Sequence, residues 1–174
     1  QANVKIVGAH AGISVGPDGA THQALEDIAI TRVLPNMTVV VPTDSVEAKK
    51  ATLAIAKHVG PSYIRFGREK MPVMTTVETP FEIGKAYYLW RAKKPQVAII
   101  GCGPLLYEAL KVAQELEKEG IFVSVLNSHT VDPLDENLIA EAANEAGAVV
   151  TVEEHHVRWG LCGAVAECLA RTGP

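Results

Sequence analysis

Cysteine and aromatic side chains are scarce in this chain of 174 residues, and no long apolar run interrupts it. The three cysteines, Cys102, Cys162 and Cys168, share no metal-binding or redox spacing. We therefore interpret them as small buried side chains of a protein from a reducing compartment. No apolar stretch is long enough to span a membrane, and no signal peptide is visible, so we expect a cytoplasmic protein without a membrane partner.

A basic surplus is also missing, because the formal net charge is −4. This balance argues against a nucleic-acid partner, which would favour clustered lysine and arginine. Hydrophobic residues nevertheless make up 48% of the chain. That is enough apolar material for one sizeable core or two modest ones.

Short apolar runs alternate with amphipathic stretches along the chain. Strands are predicted at 4–7, 38–41, 62–66, 96–100, 122–126 and 148–152, and helices at 21–34, 45–58, 105–119 and 135–146. Such alternation with short connections predicts an α/β fold built on parallel sheets. The aperiodic, proline- and threonine-containing segment predicts a linker at 73–80, between units at 1–72 and 81–174.

Residues 8–23, GAHAGISVGPDGATHQ, hold the densest group of chemically useful side chains. His10, Asp18 and His22 lie here on glycine-rich backbone after a predicted strand, where α/β folds place their chemistry. Thr21 is a candidate N-cap, which would put His22 in the first turn of a helix, where anions such as phosphate bind well. The alternative is a solvated turn, closed by Asp18, with two histidines present by chance.

Three further patterns are interpreted as structural. Gly101-Cys102-Gly103 opens like a dinucleotide-binding fingerprint but lacks the third glycine, which favours a tight turn. Glu153-Glu154-His155-His156 matches no zinc spacing, so a structural or interface role is favoured. Asp135 or its neighbour is expected to cap the helix that follows, and Ser45 to cap the helix that begins there.

The order H-x-x-x-S-x-G-x-D-G-x-T-H-Q, running into LEDIAITRVLPNMTVVVPTD, resembles the end of the pyrimidine-binding domain of the thiamine-diphosphate-dependent transketolase family. YIRFGR at 63–68 resembles the strand that follows in that family. VAIIGCGPLLYEALKVAQEL, VLNSHTVDPLDENLI and TVEEHH resemble the family's C-terminal domain. The similarity is collinear and covers essentially the whole chain.

The resemblance implies the end of a pyrimidine-binding domain with a parallel sheet, followed by an incomplete C-terminal domain. It implies two-carbon ketol transfer from a ketose phosphate to an aldose phosphate, as in the pentose phosphate pathway. The cofactors would be thiamine diphosphate and magnesium or calcium, and the cofactor would act as the electron sink. A homodimer or a heterotetramer is expected.

Four residues match functional positions of the family. His10 matches a histidine beside the donor hydroxyl next to the breaking bond, where it can take a proton. Asp18 matches the aspartate that hydrogen-bonds the hydroxyl next to the ketose carbonyl. His22 and Arg68 match positions that grip the sugar phosphate. Arg65 is instead expected to be structural.

The residues that hold the cofactor in this family have no counterpart here. Its activating glutamate and aromatic residues lie upstream of the histidine matched by His10, and its diphosphate and metal site belongs to another domain. We therefore expect cofactor and metal to be bound by residues outside this chain, which would be a fragment or a split subunit, inactive in isolation and with an unpaired sheet edge. Trp159 and Cys162 stand where the family has small glycines, and Trp159 would suit a subunit contact.

Other readings remain open. Deoxyxylulose-phosphate synthases are related, but they have aspartate at the position of His10 and lack the sequence Leu25-Glu26-Asp27. The β subunits of 2-oxoacid dehydrogenases share the two-domain layout but not the D-G-x-T-H-Q sequence. A different class altogether would be a docking or dimerisation module whose donor-site residues are vestigial.

Overall fold

The computed structural model describes residues 2–173 and contains two four-stranded sheets. The first sheet has the order β1-β3-β2-β7, from strands Lys5–Gly8, Ser62–Arg65, Thr38–Val40 and Thr130–Asp132. The first three strands are parallel, whereas β7 pairs antiparallel with β2. The α/β fold with parallel sheets predicted from the sequence is confirmed. Within the described residues β1 is an edge strand, and its Ile6 and Val7 side chains are exposed.

The second sheet has the order β4-β6-β5-β8, from strands Tyr87–Trp90, Val123–Asn127, Val97–Gly101 and Val149–Val152. β5, β6 and β8 are parallel, and only the edge strand β4 runs antiparallel. Alternate residues of β5 face opposite layers: Ile99 packs with α3, whereas Ala98 and Ile100 pack with the core shared by the two sheets. Side chains of a strand alternate in this way because its period is two.

Within residues 2–173 there are five α-helices, of which four lie between strands and the fifth follows the last strand. They are α1 (Asp27–Arg32), α2 (Ser45–Lys57), α3 (Leu106–Lys118), α4 (Glu136–Ala146) and α5 (Leu161–Thr172). A 3₁₀ segment at Ile13–Asp18 lies between β1 and α1. No helix within residues 2–173 is long and apolar enough to cross a membrane.

One apolar core joins the two sheets. It combines Val39 and Tyr63 of the first sheet with Ile100 and Leu126 of the second, and α1, α4 and α5 pack on it. A separate cluster beneath α3 includes Leu106, Ala109 and Val125, and a third holds α2 against the first sheet. Because the largest cluster crosses from one sheet to the other, the two halves bury apolar surface in common.

Two helix starts differ from the prediction. The first helix begins at Asp27, not near Thr21, because the backbone from 19 to 22 is occupied by a turn in which His22 N–H donates to the Gly19 carbonyl at 3.0 Å. Ser45 is not the cap of α2; Asp44 is, since its carboxylate accepts from the Val46 and Glu47 N–H groups, both at 2.9 Å. Asp135 caps α4 as predicted, accepting from Leu138 N–H.

Three elements had no counterpart in the sequence prediction. They are the edge strand β4, the short strand β7 and the C-terminal helix α5. The Gly101–Gly103 segment is a tight turn, as predicted: Gly103 has φ 70° and its N–H donates to the Val41 carbonyl at the end of the first sheet. Cys102 and Cys168 are buried as predicted, and Cys162 is half-buried.

Candidate active site

An irregular loop, residues 9–26, leads from the end of β1 to the start of α1 and carries three of the four candidate residues. Both ends of this loop are drawn together by a hydrogen bond from Gly12 N–H to the Ala24 carbonyl at 2.9 Å. Its start is also tied to the sheet, since Ala11 N–H donates to the Phe66 carbonyl at 3.1 Å. The loop therefore stands at the carboxyl ends of the parallel strands β1 and β3, where α/β folds bind ligands.

His10 lies two residues beyond β1 and is exposed. Its φ is 60°, a left-handed conformation that few non-glycine residues adopt. Backbone strain of this kind clusters at functional sites. Gly8, just before it, cannot carry a side chain, because a Cβ there would come within 1.9 Å of the Tyr63 hydroxyl oxygen.

Asp18 and Arg68 form an ion pair, with Arg68 Nη1 2.6 Å from Asp18 Oδ2. The same nitrogen donates to the Val15 carbonyl at 2.7 Å. Arg68 comes from the segment after β3, so the pair joins the 9–26 loop to the neighbouring strand end. Both side chains are about one-third exposed, at 33% and 38%, so a ligand in solvent can reach them.

His22 does not occupy a helix N-terminus, and the helix-based reason for expecting an anion there is wrong. It is exposed in a turn, five residues before α1 begins, and its Nδ1 lies 3.0 Å from the Thr21 hydroxyl. No hydrogen bond within residues 2–173 joins His10 or His22 to the Asp18–Arg68 pair. The structure thus brings two of the four candidate residues into contact and leaves the two histidines exposed on the same loop.

Arg65 is structural, as predicted. Its side chain is 3% exposed, and its Nε donates to Asp27 Oδ2 at 2.8 Å. Its Nη2 donates to the Ala24 and Glu154 carbonyls, at 3.1 and 2.7 Å. The Tyr63 hydroxyl donates to the same Asp27 oxygen at 2.6 Å, and burial, followed by this carboxylate, raises the pKa of Tyr63 above its usual range.

The segment after β8 packs against the 9–26 loop and is structural, as its spacing indicated. Glu153 caps α5, accepting from the Leu161 and Cys162 N–H groups at 2.7 and 2.9 Å. The Ser14 hydroxyl donates to Glu154 at 3.1 Å, and His156 N–H donates to the Leu25 carbonyl at 2.8 Å. Sequence reasoning missed these contacts with the loop, because residues 140 positions apart give no local signal.

A buried polar cluster at the contact between the two sheets was also missed. Glu47 accepts from Thr43 N–H, the Tyr87 hydroxyl and the Asn127 amide, at 2.7, 2.7 and 2.8 Å. Burial raises the pKa of the Glu47 carboxyl, and these three donors oppose that effect. The only sequence signal is a glutamate on the inward face of an amphipathic helix.

His129 lies in the same region and is fully buried, stacked on the Phe81 ring at 4.2 Å between centroids. Its Nδ1 is 3.0 Å from the Thr130 hydroxyl, and its Nε2 has no partner within residues 2–173. Burial lowers the pKa of His129 to about 4. The imidazole is therefore neutral at physiological pH.

A cleft of about 400 Å³ opens at the start of α2, and the residues on either side of Arg68 are part of its lining. Thr43, Ser45, Phe66, Lys70 and Met71 are among the residues that line it, whereas Arg68 turns away towards Asp18. Within residues 2–173 no group of three or more His, Cys, Asp or Glu side chains is placed to hold a metal ion.

Comparison with protein families matches both halves of the chain. The model of the transketolase pyrimidine-binding domain matches residues 1–74, and that of the transketolase C-terminal domain matches residues 84–173. A putative transketolase C-terminal section from Methanocaldococcus jannaschii is 42% identical over 173 residues, covering 98% of this chain and 53% of that protein. A 6-deoxy-6-sulfo-D-fructose transketolase subunit from Clostridium sp. (strain MSTE9) is 41% identical, covering 99% of this chain and 53% of that protein.

The fold is also found among solved structures. A split-gene transketolase, whose structure is named as an inactive tetramer of beta chains, superposes with a TM-score of 0.90 at 42% identity. The match covers 98% of this chain and 55% of that chain. The chain therefore spans about half the length of these relatives, and 27% of the mouse transketolase-like protein 2, to which it is 40% identical.

Proposed function

Because the chain belongs to the transketolase family, we propose that it carries the residues that bind the sugar phosphate in a ketol-transferring enzyme. That enzyme would transfer a two-carbon ketol unit from a ketose phosphate to an aldose phosphate. The observation that carries this proposal is the contact between Arg68 and Asp18 at the carboxyl end of the first sheet. A carboxylate, which accepts hydrogen bonds from hydroxyls, and a guanidinium, which pairs well with phosphates, are in contact here, and this supports a role for both in binding a sugar phosphate.

Each candidate residue has a role that its position allows. Asp18 accepts a hydrogen bond from a hydroxyl of the sugar, and a donor lacking that hydroxyl would leave a carboxylate unpaired. Arg68 binds the terminal phosphate, which competes with Asp18 for Nη1, and His22 assists from the exposed turn. His10 lies beside the donor hydroxyl and takes its proton as the carbon–carbon bond breaks.

The transketolase family generally uses thiamine diphosphate, and we infer that this cofactor and its metal are held by the other part of the protein. The side chains of residues 2–173 offer no metal cluster. One relative is named as a C-terminal section, another as a subunit and a third as a split-gene transketolase, and these names support the existence of a partner chain. We infer that this chain and its partner assemble in the cytoplasm, as a dimer of such pairs.

A donor-preference assay on the complete native protein tests this function, with thiamine diphosphate and magnesium present. A ketose phosphate, or pyruvate, is offered as donor to an aldose phosphate. We expect turnover with the ketose phosphate alone, and about a hundredfold lower kcat for His10→Asn, a substitution that tolerates positive φ. Turnover with pyruvate alone would assign a different branch of the family, and turnover with neither donor would favour a docking module.

A further inference from the structure

We propose that Glu154 is a positioning residue for the 9–26 loop, acting on the sugar-phosphate site from the opposite half of the chain. The inference rests on the proposed function for its effect on turnover, but its structural part stands on contacts alone. Glu154 follows β8 of the second sheet, whereas the loop it touches begins at the end of β1 in the first. Among residues 2–173, no hydrogen bond or ion pair joins Glu154 to the candidate substrate residues, so it would act through the loop backbone.

The Glu154 carboxylate is buried against two residues of the loop. Its side chain belongs to a residue that is 9% exposed, and its Oε2 accepts from the Ser14 hydroxyl at 3.1 Å. Gly12 packs directly on the same oxygen, because a Cβ at that position would come within 2.3 Å of Oε2. Close packing of a glycine on one side and a hydrogen bond on the other fix where the loop can lie.

The backbone that carries Glu154 is itself held in place. Glu153 is fixed by capping α5 with both carboxylate oxygens, and the Glu154 carbonyl accepts from Arg65 Nη2 at 2.7 Å. The same Arg65 nitrogen donates to the Ala24 carbonyl, which also accepts from Gly12 N–H. The two ends of the loop and the segment after β8 therefore meet at one point.

The three residues of this loop that we assign to substrate binding all lie close in sequence to these contacts. Asp18 and His22 lie between Gly12 and Ala24, and His10 lies two residues before Gly12. A shift of the Gly12 and Ala24 backbone would move Asp18 relative to the backbone of Arg68, which belongs to the segment after β3. Small displacements of positioning groups reduce rates strongly, so the anchor should matter for substrate binding.

The experiment compares Glu154→Ala and Glu154→Gln with the wild type, in the complete native protein. Glutamine keeps an oxygen that can accept from the Ser14 hydroxyl, and alanine does not. For Glu154→Ala we expect kcat/KM for a ketose phosphate to fall about tenfold, chiefly through a higher KM, because the loop is misplaced. For Glu154→Gln we expect a change of less than about threefold, and Ser14→Ala should resemble Glu154→Ala in direction.

Amide hydrogen exchange on the same proteins gives a readout that needs no turnover. We expect exchange at residues 12–25 to quicken in Glu154→Ala, while exchange in α3, on the far face of the second sheet, stays at the wild-type rate. Should the wild type transfer no ketol unit, the proposed function fails, and this comparison alone then decides whether Glu154 anchors the loop.

Two results would overturn the inference. One is faster exchange throughout Glu154→Ala, with a lower maximal rate and an unchanged KM, which describes a general loss of folded protein. The other is a Glu154→Gln variant that is as impaired as Glu154→Ala, because the hydrogen bond from Ser14 would then not be the cause.

Discussion

Arg65 shows how one buried side chain can hold together parts of the chain that are distant in sequence. It joins β3 to Asp27 of α1, to the Ala24 carbonyl of the 9–26 loop and to the Glu154 carbonyl after β8. Arg65 is the counter-charge of Asp27. The other carboxylate oxygen, Asp27 Oδ1, is buried without a hydrogen-bond partner in the part of the chain that the structure describes. A guanidinium suits this place because its fork serves several acceptors at once.

Replacement of Arg65 by methionine should be strongly destabilising. We expect the free energy of unfolding to fall by about 3 kcal/mol, because the largely buried Asp27 would lose its counter-charge and keep only the Tyr63 hydroxyl as a donor to Oδ2. Denaturant unfolding followed by circular dichroism measures it. The matched control is Arg91→Met, which removes an exposed ion pair with Glu141 and Glu145 and should leave the free energy of unfolding nearly unchanged. Similar losses in both variants would contradict this account of Arg65.

His129 makes stability depend on pH. Burial lowers its pKa to about 4 from the ordinary 6.5, so the unfolded chain takes up a proton first as the pH falls. The stability contributed by the neutral His129 imidazole is therefore fully present above pH 6.5, and it is lost progressively as the pH falls to about 4. The difference in pKa corresponds to about 3 kcal/mol.

The check is to measure unfolding of the wild type and of His129→Asn at several pH values between 7.5 and 4. Asparagine can keep the contact with the Thr130 hydroxyl but does not titrate. We expect the wild type to lose more stability than the variant over this range. Parallel curves would mean that the buried imidazole does not govern the acid sensitivity.

Among the elements, α2 depends on the carboxylate that begins it. Asp44 accepts from two N–H groups of the first helical turn, and also from Met74 N–H at 2.7 Å and Thr75 N–H at 2.6 Å. Burial opposes its ionisation, but the backbone donors of Glu47, Thr75 and Met74 prevail and hold its pKa below the ordinary value. One side chain therefore starts the helix and fastens the segment that leads to the second sheet.

Asp44→Ala should cost more than an ordinary helix cap. Loss of a cap alone costs about 1 kcal/mol, and we expect about 2 kcal/mol or more because the Met74 and Thr75 donors lose their acceptor as well. Ser45→Ala is the control: Ser45 is exposed and does not cap the helix, so its loss should stay within about 0.5 kcal/mol. A larger loss for Ser45→Ala than for Asp44→Ala, in urea unfolding, would restore Ser45 as the cap.

Periodicity predicted the regular elements well and the irregular ones poorly. The helices α2, α3 and α4 and the central strands follow clear apolar patterns, because each buries one face in a local and repeating way. The 9–26 loop has no such period. It contacts Arg65 and Glu154, which are far away in sequence, so the start predicted for the first helix at Thr21 was wrong, although a helix does follow from Asp27.

The short strand β7 was missed for a related reason. It pairs with β2 within the first sheet, although it lies among the elements of the C-terminal half of the chain, and its three residues carry no pattern of their own. The candidate residues were found because glycine, aspartate and histidine cluster locally at 8–23. What the sequence could not reveal is the contact of Asp18 with Arg68, which requires β1 and β3 to be neighbours.

At the scale of the whole molecule, the two halves are joined by one core and by the loop after β8. The largest apolar cluster includes residues of both sheets, and Glu47 of α2 accepts from Tyr87 and Asn127 of the second sheet. The C-terminal half also contacts the 9–26 loop, on which three of the candidate substrate residues lie, through Glu154. A change in the second sheet can thus reach a site built on the first.

We propose above all that Arg68 binds the phosphate of a sugar substrate. The most direct test compares wild type and Arg68→Ala in the complete native protein, with a ketose phosphate and the same ketose without phosphate as donors. We predict a KM at least about tenfold higher for the phosphorylated donor, and a change within about twofold for the free sugar, because one charge-assisted contact to phosphate is lost. Equal increases for both donors would contradict the claim.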